Sequence, residues 1–581
     1  MKKEKKIGKI IFLCDSEYSV TFKKLEDINE IIKVRIGVCF DKKIVPKPVI
    51  VRWTYPCKNI FSQWNPSLWS QRTLNPNWMP VKNASRSAES VPIQTHLSPD
   101  GKNTITVSLN DPLTPMEIAT GIIEETAEIS YKLTLFTKRI SPIDKYEVIL
   151  TIDLREIPYT EVIRETCSQW IKEKIYIPRS CTEPMYSTWY SYHQNLAHEE
   201  LIKELKLAKA LGMETVIIDD GWQTEDSSRG YAYCGDWDPI RLPDMKKFVS
   251  DVHKTGMKCI LWFSVPFVGI HSEAWSRFEG KFLDAFDEKH PWCVLDPRYP
   301  EVRQYLIGIY ENTVVKWHLD GLKLDFINNI QLTDSSSLPN KNMDYDSLED
   351  AISALLCEIK ARLTTINPDV MIEFRQPYTG PVMQSYGNMF RVADCPQDAL
   401  KNRVGIIDLR LICGNSAVHS DMLMWNYDDS PESAALQFIN VLFGVPQISV
   451  KIEKLTQKQR KMLEFYLSFW KRNKSCLLNG QMKAKNPETG YSIVSSETEK
   501  KLISVSYIKN VMKIEKKYEE VVFVNGSWEE ELLINSTVEE YDAKYRIYDC
   551  MGNIAEQGCV ALNKGINAFK VPCSGVLEIY K

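Results

Sequence analysis

The sequence predicts a multidomain protein built around a central (β/α)8 TIM barrel, with an N-terminal β-sandwich before it and a small C-terminal β-sandwich after it. Three observations lead there. Between about residues 180 and 475, short apolar strands alternate with amphipathic helices, and eight strands can be counted. Residues 1–165 and 480–581 instead carry period-two stretches broken by Pro, Asn, Gly and Asp turns. Polar residues gather where the apolar strands of the middle region end.

In the first 165 residues, Ile105-Thr106-Val107-Ser108-Leu109 and Glu147-Val148-Ile149-Leu150-Thr151-Ile152 alternate as half-buried strands do. The eight barrel strands are expected at Tyr186 to Ser191, Glu214 to Asp219, Met257 to Phe263, Asp320 to Asp325, Val370 to Arg375, Met389 to Asp394, Ala417 to Met424, and Pro446 to Val450. Helices separate most of them. His198 to Leu211 is the best formed, apolar at Leu201, Leu205, Ala208 and Leu211, with Glu199 and Glu200 in its first turn. No helix is expected between the fifth and sixth strands. A doubly wound sheet is the competing architecture, but no GxGxxG follows any strand and there is no P-loop. Beyond residue 480, Tyr491-Ser492-Ile493-Val494, Leu502-Ile503-Ser504-Val505, Val521-Val522-Phe523-Val524 and Val576-Leu577-Glu578-Ile579 return to the strand pattern.

Composition narrows the function. With 25% charged residues and a formal net charge of −4, the 581-residue chain has no basic stripe for nucleic acid. It has no run of eighteen apolar residues for a membrane helix. Fifteen scattered cysteines without a CxxC pair point to reduced thiols and a cytoplasmic setting. Eight histidines without HExxH or another close ligand spacing give no metal site, and no cofactor is expected. Aromatics make up 10% of the chain, including 15 Trp, which suits a protein that handles carbohydrate.

The chemistry concentrates in Gly321-Leu322-Lys323-Leu324-Asp325-Phe326. Side chains two apart leave a strand on one face, so Lys323 and Asp325 should project together into one cavity. The ammonium would then keep the carboxylate ionised, as a nucleophile requires. Other strand ends add Asp219-Asp220-Gly221-Trp222, Trp262-Phe263-Ser264, Glu373 and Arg375, Arg391 and Asp394, and His419, Asp421 and Trp425. In a barrel these ends form a single mouth. Carboxylates there accept from sugar hydroxyls, Lys and Arg donate to them, and Trp faces cover apolar ring carbons. Each residue also has an ordinary counterpart: an aspartate as helix cap, Asp220-Gly221 as a turn, a Trp as core.

A carboxylate pair in such a mouth suggests glycosidic cleavage by double displacement, with the two groups about 5 to 5.5 Å apart. Asp325 is the expected nucleophile. Asp394 is the expected acid/base, its apolar neighbours Val392, Ala393, Cys395 and Pro396 raising its pKa. Asp398 is the rival, but its position suits a helix start.

At these residues the chain resembles glycoside hydrolase family 36, the α-galactosidase family, and more loosely the related retaining α-glycosidases. The likeness runs from about Trp189 to Trp425. It rests on Ile218-Asp219-Asp220-Gly221-Trp222, Gly235-Asp236-Trp237, Val252 to Lys258 with Leu261-Trp262-Phe263, Leu295-Asp296-Pro297, Lys323-Leu324-Asp325 and Arg391-Val392-Ala393-Asp394. The resemblance implies a retaining, metal-free α-galactosidase releasing terminal galactose from an oligosaccharide or other α-glycoside, with Asp219, Asp220 and Lys323 holding sugar hydroxyls. Trp222, Trp262, Arg375 and Arg391 complete the expected sugar-binding set, and homo-oligomerisation follows by analogy. Two departures stand out. Trp262-Phe263-Ser264-Val265-Pro266 replaces the family's Trp-Phe-Glu-Pro-Glu. Glu373-Phe374-Arg375-Gln376-Pro377-Tyr378 replaces a Cys and Gly-rich run. They keep three alternatives open: an α-N-acetylgalactosaminidase or other α-hexosidase, a raffinose-synthase-like transglycosylase, and a sugar-binding protein without catalysis.

Overall fold

The computed structural model describes residues 2–67, 72–171, 175–414, 416–538 and 541–581. At its centre, eight parallel strands run in the order of a barrel: β1 (Met185–Ser187), β2 (Thr215–Ile218), β3 (Lys258–Ser264), β4 (Gly321–Asp325), β5 (Met371–Arg375), β6 (Met389–Arg391), β7 (Ala417–His419) and β8 (Gln447–Ile448). β8 pairs with β1, and the circle closes where Val445 N donates to Val418 O at 2.8 Å and Ser420 N to Val445 O at 3.0 Å. The expected eight strands are all present, several of them shorter than the sequence pattern suggested.

The helices covering the barrel are α1 (His198–Ala210), α2 (Met245–Lys254), α3 (Pro300–Trp317), α4 (Leu348–Ile366), α5 (Ala399–Ile412), α6 (Pro431–Ile439) and α7 (Gln457–Asn479). α1 buries Leu201, Leu205 and Ala208, the apolar stripe read from the sequence. Their starts follow capping chemistry. Asp244, Ser347, Asp398 and Ser430 each accept from a backbone N–H of the first turn, and Thr456 with Gln459 forms a capping box. Between β5 and β6 lies only a 3-10 turn, Pro381–Ser385, as the sequence predicted.

Period two along the strands builds the interior in layers. Met185, Ile217, Ile260, Met371, Met389 and Ala417 form an apolar floor, all buried. Gly321 completes that floor without a side chain, because a Cβ there would fall 2.3 Å from the Met371 carbonyl oxygen. Two residues further along the same strands come Asp219, Trp262, Lys323, Glu373, Arg391 and His419. Another step of two reaches Asp325 and Arg375. The barrel is therefore apolar at its base and charged at its mouth.

Two strand ends depart from expectation for a visible reason. β1 stops at Ser187 and Trp189–Tyr192 makes a helical turn, held by Tyr190 N and Ser191 N donating to Ser449 Oγ at 3.0 and 3.2 Å. β6 stops at Arg391, because side chains take over its next backbone amides: Ala393 N donates to Gln376 Oε1 and Cys395 N to Asp421 Oδ2.

The N-terminal region forms two six-stranded sheets. They face each other across Val34, Ile36, Val51, Ile118, Leu133 and Leu150, all essentially sealed from solvent. The C-terminal region, from Gln481, adds a seven-stranded and a three-stranded sheet around Phe523, Ile534 and Leu577. All three regions meet at one buried carboxylate, Asp408 of α5. It accepts from Trp64 Nε1 at 3.0 Å, from Arg72 Nη2 at 2.5 Å, and from the Tyr491 hydroxyl at 2.5 Å. No helix among the described residues is long and apolar enough to cross a membrane.

Candidate active site

The mouth gathers the carboxylates and cations that the sequence placed at strand ends. Asp325, the last residue of β4, is buried and surrounded by donors. Its Oδ2 accepts from Trp262 Nε1 at 3.0 Å, and its Oδ1 accepts from Arg375 Nε at 2.9 Å and Tyr378 Oη at 2.5 Å. The backbone N–H of Phe326, a residue in the left-handed region at φ 64°, donates to Oδ1 at 2.7 Å. Burial alone would push this carboxyl's pKa up. Arg375, Lys323 and the Tyr378 and Trp262 hydrogen bonds outweigh that and hold it well below the usual carboxylate range.

Its ion-pair partner corrects the sequence reading. Lys323 leaves β4 on the same face as Asp325, but its ammonium pairs with Asp219 Oδ2 at 2.6 Å, one strand beyond the neighbouring β3. Arg375, from the adjacent β5, makes the direct contact with Asp325. Lys323 acts on Asp325 through its field only.

Asp394 follows β6 in the segment held by Gln376 and Asp421, and its side chain is 47% exposed. Arg391 Nη2 contacts its Oδ1 at 2.9 Å. The expectation of a raised pKa is reversed here. Burial does push it up, but Arg391, Arg375 and Lys323 together bring it below the ordinary value. The same Arg375 and Lys323 lower both Asp325 and Asp394, so the two carboxyls share one positive field. Asp398 is settled as a helix start: its side chain caps α5 by accepting from Lys401 N at 2.9 Å.

Asp220 lies deeper. Its two oxygens accept from Gln223 Nε2 at 2.7 Å and Gln194 Nε2 at 2.8 Å. Gly221, at φ +113°, lets Gln194 come this close, since a Cβ there would sit 2.5 Å from the Gln194 Cα. Burial raises the Asp220 pKa to about 6, with the charges of Asp219 and Asp325 adding to the push against the two amide hydrogen bonds.

Two expected sugar contacts take other positions. Trp222 is 0% exposed. Its indole N–H donates to the Trp262 carbonyl at 2.9 Å, and its ring packs on Trp237, Phe263 and Trp317. It supports Trp262 from behind. Arg391 is 1% exposed and its nitrogens serve the protein: Asp394, the Val392 carbonyl at 3.0 Å, Asp421, and Glu373 at 3.7 Å. It positions Asp394. Trp262 meets Asp325 through its N–H.

Tyr378, Gln194 and Gln223 are hydrogen-bond partners of the candidate carboxylates that the sequence did not single out. Tyr378 has a signal in hindsight, lying three residues past Arg375 on the segment that follows β5. Asp421 accepts from Arg391, from Tyr190 Oη at 2.9 Å and from Cys395 N at 2.7 Å, and so fixes the base of the Asp394 segment.

This arrangement sits inside a recognisable stretch of sequence. The melibiase family model matches residues 164–383, which contain β1 to β5 and Asp325. That match and the sequence relatives support an assignment to glycoside hydrolase family 36. The chain is 26% identical over 195 residues to α-galactosidase 2 of Pediococcus pentosaceus and 24% identical over 202 residues to α-galactosidase Mel36A of Lactobacillus acidophilus. Each match spans 32% of this chain but only about a quarter of the relative, 27% and 26%. The structural likeness is wider. The family 36 α-galactosidase AgaA of Geobacillus stearothermophilus superposes with a TM-score of 0.64 at 14% identity, covering 98% of this chain and 81% of that one. The α-galactosidase of Lactobacillus brevis gives 0.62, again at 14% identity, with 98% and 81% covered. These structures share the fold with the chain, from the first sandwich to the last.

Proposed function

We propose that the protein is a retaining α-galactosidase that releases terminal α-linked galactose from oligosaccharides, with Asp325 as nucleophile and Asp394 as acid/base. The observation that carries this reading is the pair itself: a buried carboxylate held ionised, and a half-exposed one in the same positive field. Asp219, Asp220 and Lys323 hold the sugar's hydroxyls. The relatives' names support galactose as the sugar, and AgaA structures similar to this chain hold stachyose and raffinose.

In the first step Asp325 attacks the anomeric carbon while Asp394 gives its proton to the departing oxygen; in the second, Asp394 takes a proton from water, which displaces Asp325. Arg391 favours the ionised form of Asp394, which suits the second step. For the first step the proton must be supplied against that field. Fifteen free thiols suit a reducing compartment, and we place the protein in the cytoplasm.

The segment Arg375-Gln376-Pro377-Tyr378, packed on Asp325, favours keeping a second reading in the test: a different substituent at the sugar's 2-position, or transfer to a sugar acceptor. Purified protein incubated with para-nitrophenyl α-galactoside, α-N-acetylgalactosaminide and α-glucoside, with and without raffinose or sucrose as acceptor, separates these. Proton NMR of the first product should give the α-anomer of galactose, and Asp325→Ala should abolish turnover. A first-formed β-anomer removes Asp325 as nucleophile.

A further inference from the structure

The two oxygens of Asp325 are not equivalent. Oδ1 receives three donors: Arg375 Nε at 2.9 Å, Tyr378 Oη at 2.5 Å and Phe326 N at 2.7 Å. Oδ2 receives one, Trp262 Nε1 at 3.0 Å. A carboxylate oxygen offers about two lone-pair sites, so Oδ1 is filled and Oδ2 keeps a free one. We propose that Oδ2 forms the bond to the sugar, and that Arg375 and Tyr378 are positioning residues whose main effect is to speed release of the sugar from Asp325. The inference rests on the reading of Asp325 as nucleophile.

In the first step the Oδ2–C1 bond forms as the bond from C1 to the leaving oxygen breaks, and that oxygen takes the Asp394 proton. Asp325 then becomes an ester. Its negative charge is gone, and Oδ1 becomes the ester carbonyl oxygen. Hydrogen bonds from a guanidinium and a phenol are stronger to a carboxylate than to an ester. Arg375 and Tyr378 therefore oppose the first step and assist the second. When water attacks C1 and Asp394 takes its proton, the electron pair of the breaking Oδ2–C1 bond returns to Asp325, where both donors recover a charged acceptor. Tyr378 is buried and bonded to both Asp325 and the Phe326 amide, which places its hydroxyl at Oδ1.

The test is stopped-flow hydrolysis of para-nitrophenyl α-galactoside by the whole protein and by Tyr378→Phe. Losing a hydrogen bond to a charged group should lower kcat by roughly 10- to 100-fold. It should also produce a burst of nitrophenol approaching one equivalent per active site, as the ester accumulates. The acid limb of kcat/KM should move to higher pH. A fall in rate with no burst and an unmoved acid limb overturns the proposal, since that is what a packing defect gives. Arg375→Lys provides a second variant that keeps the charge but loses the Nε contact; it should also show a burst. If Tyr378→Phe fails to fold, the absence of a burst in Arg375→Lys overturns the proposal by itself. Labelling of the unmodified protein with a 5-fluoro-α-galactosyl fluoride, followed by peptide mass spectrometry, tests the underlying reading separately. A label anywhere but Asp325 removes both.

Discussion

Lys323 Nζ lies 2.6 Å from Asp219 Oδ2, and neither side chain is more than 5% exposed. The two come from β4 and β2, so the pair spans the strand between them and braces the mouth. Breaking a buried pair from one side strands a charge. Lys323→Met is expected to cost about 3–5 kcal/mol of stability, and Asp219→Asn a comparable amount. The double variant should cost less than the sum by about 1–3 kcal/mol. Urea unfolding of the four proteins gives that coupling; strictly additive losses would mean the contact carries no energy of its own.

Asp394→Ala should discriminate between leaving groups. An alkoxide leaving from raffinose needs a proton, whereas nitrophenolate hardly does. The variant is expected to lose about 10²–10⁴-fold in kcat/KM on raffinose and far less on the nitrophenyl substrate. Equal losses on both would point to a binding role for Asp394.

Asp398 provides the matching control. As the cap of α5 it should cost about 1 kcal/mol when changed to Ala, through the lost hydrogen bond to Lys401 N. The melting temperature should fall by a few degrees at most, while the ratio of raffinose to nitrophenyl activity stays where it was. A changed ratio would make Asp398 part of the chemistry.

Asp220 sets a pH dependence of known sign. Its pKa rises from the ordinary 3.8 to about 6 on folding. The folded state therefore binds more protons than the unfolded chain between those values, and stability attributable to this group falls as pH climbs through that window. The full effect is about 3 kcal/mol at most. Unfolding midpoints of wild type and Asp220→Asn at pH 4 and pH 7 should show the variant losing less stability across the interval. Parallel losses would place the titration elsewhere.

How much of this was legible in the chain depends on distance along it. The barrel could be read because parallel strands bury both faces and appear as continuous apolar runs, and because a polar residue closes so many of them. The i, i+2 relation between Lys323 and Asp325 is local, and the structure keeps both on one face. Who pairs with whom is not local. Arg375 reaches Asp325 only because β5 sits beside β4 in a particular register, and Lys323 reaches Asp219 by crossing β3. The sign of the Asp394 shift failed only partly for that reason. Arg391 is three residues away in sequence and outweighs the apolar neighbours, while Arg375 and Lys323 arrive from β5 and β4. Tyr378 was invisible as a partner because a tyrosine three residues beyond a strand end is ordinary in sequence, and becomes special only when the loop folds back over the carboxylate.

Asp408 has a consequence for how this molecule can change. Its three donors come from the two outer regions, Trp64 and Arg72 from the first and Tyr491 from the last, and its helix starts at Asp398, four residues after Asp394. An exchange of either outer region for a foreign one would have to supply an indole and a guanidinium, or a phenol, at that same spot. Evolution and engineering alike are therefore held to inheriting the three pieces as a set, with loops at the barrel mouth as the freer ground for novelty.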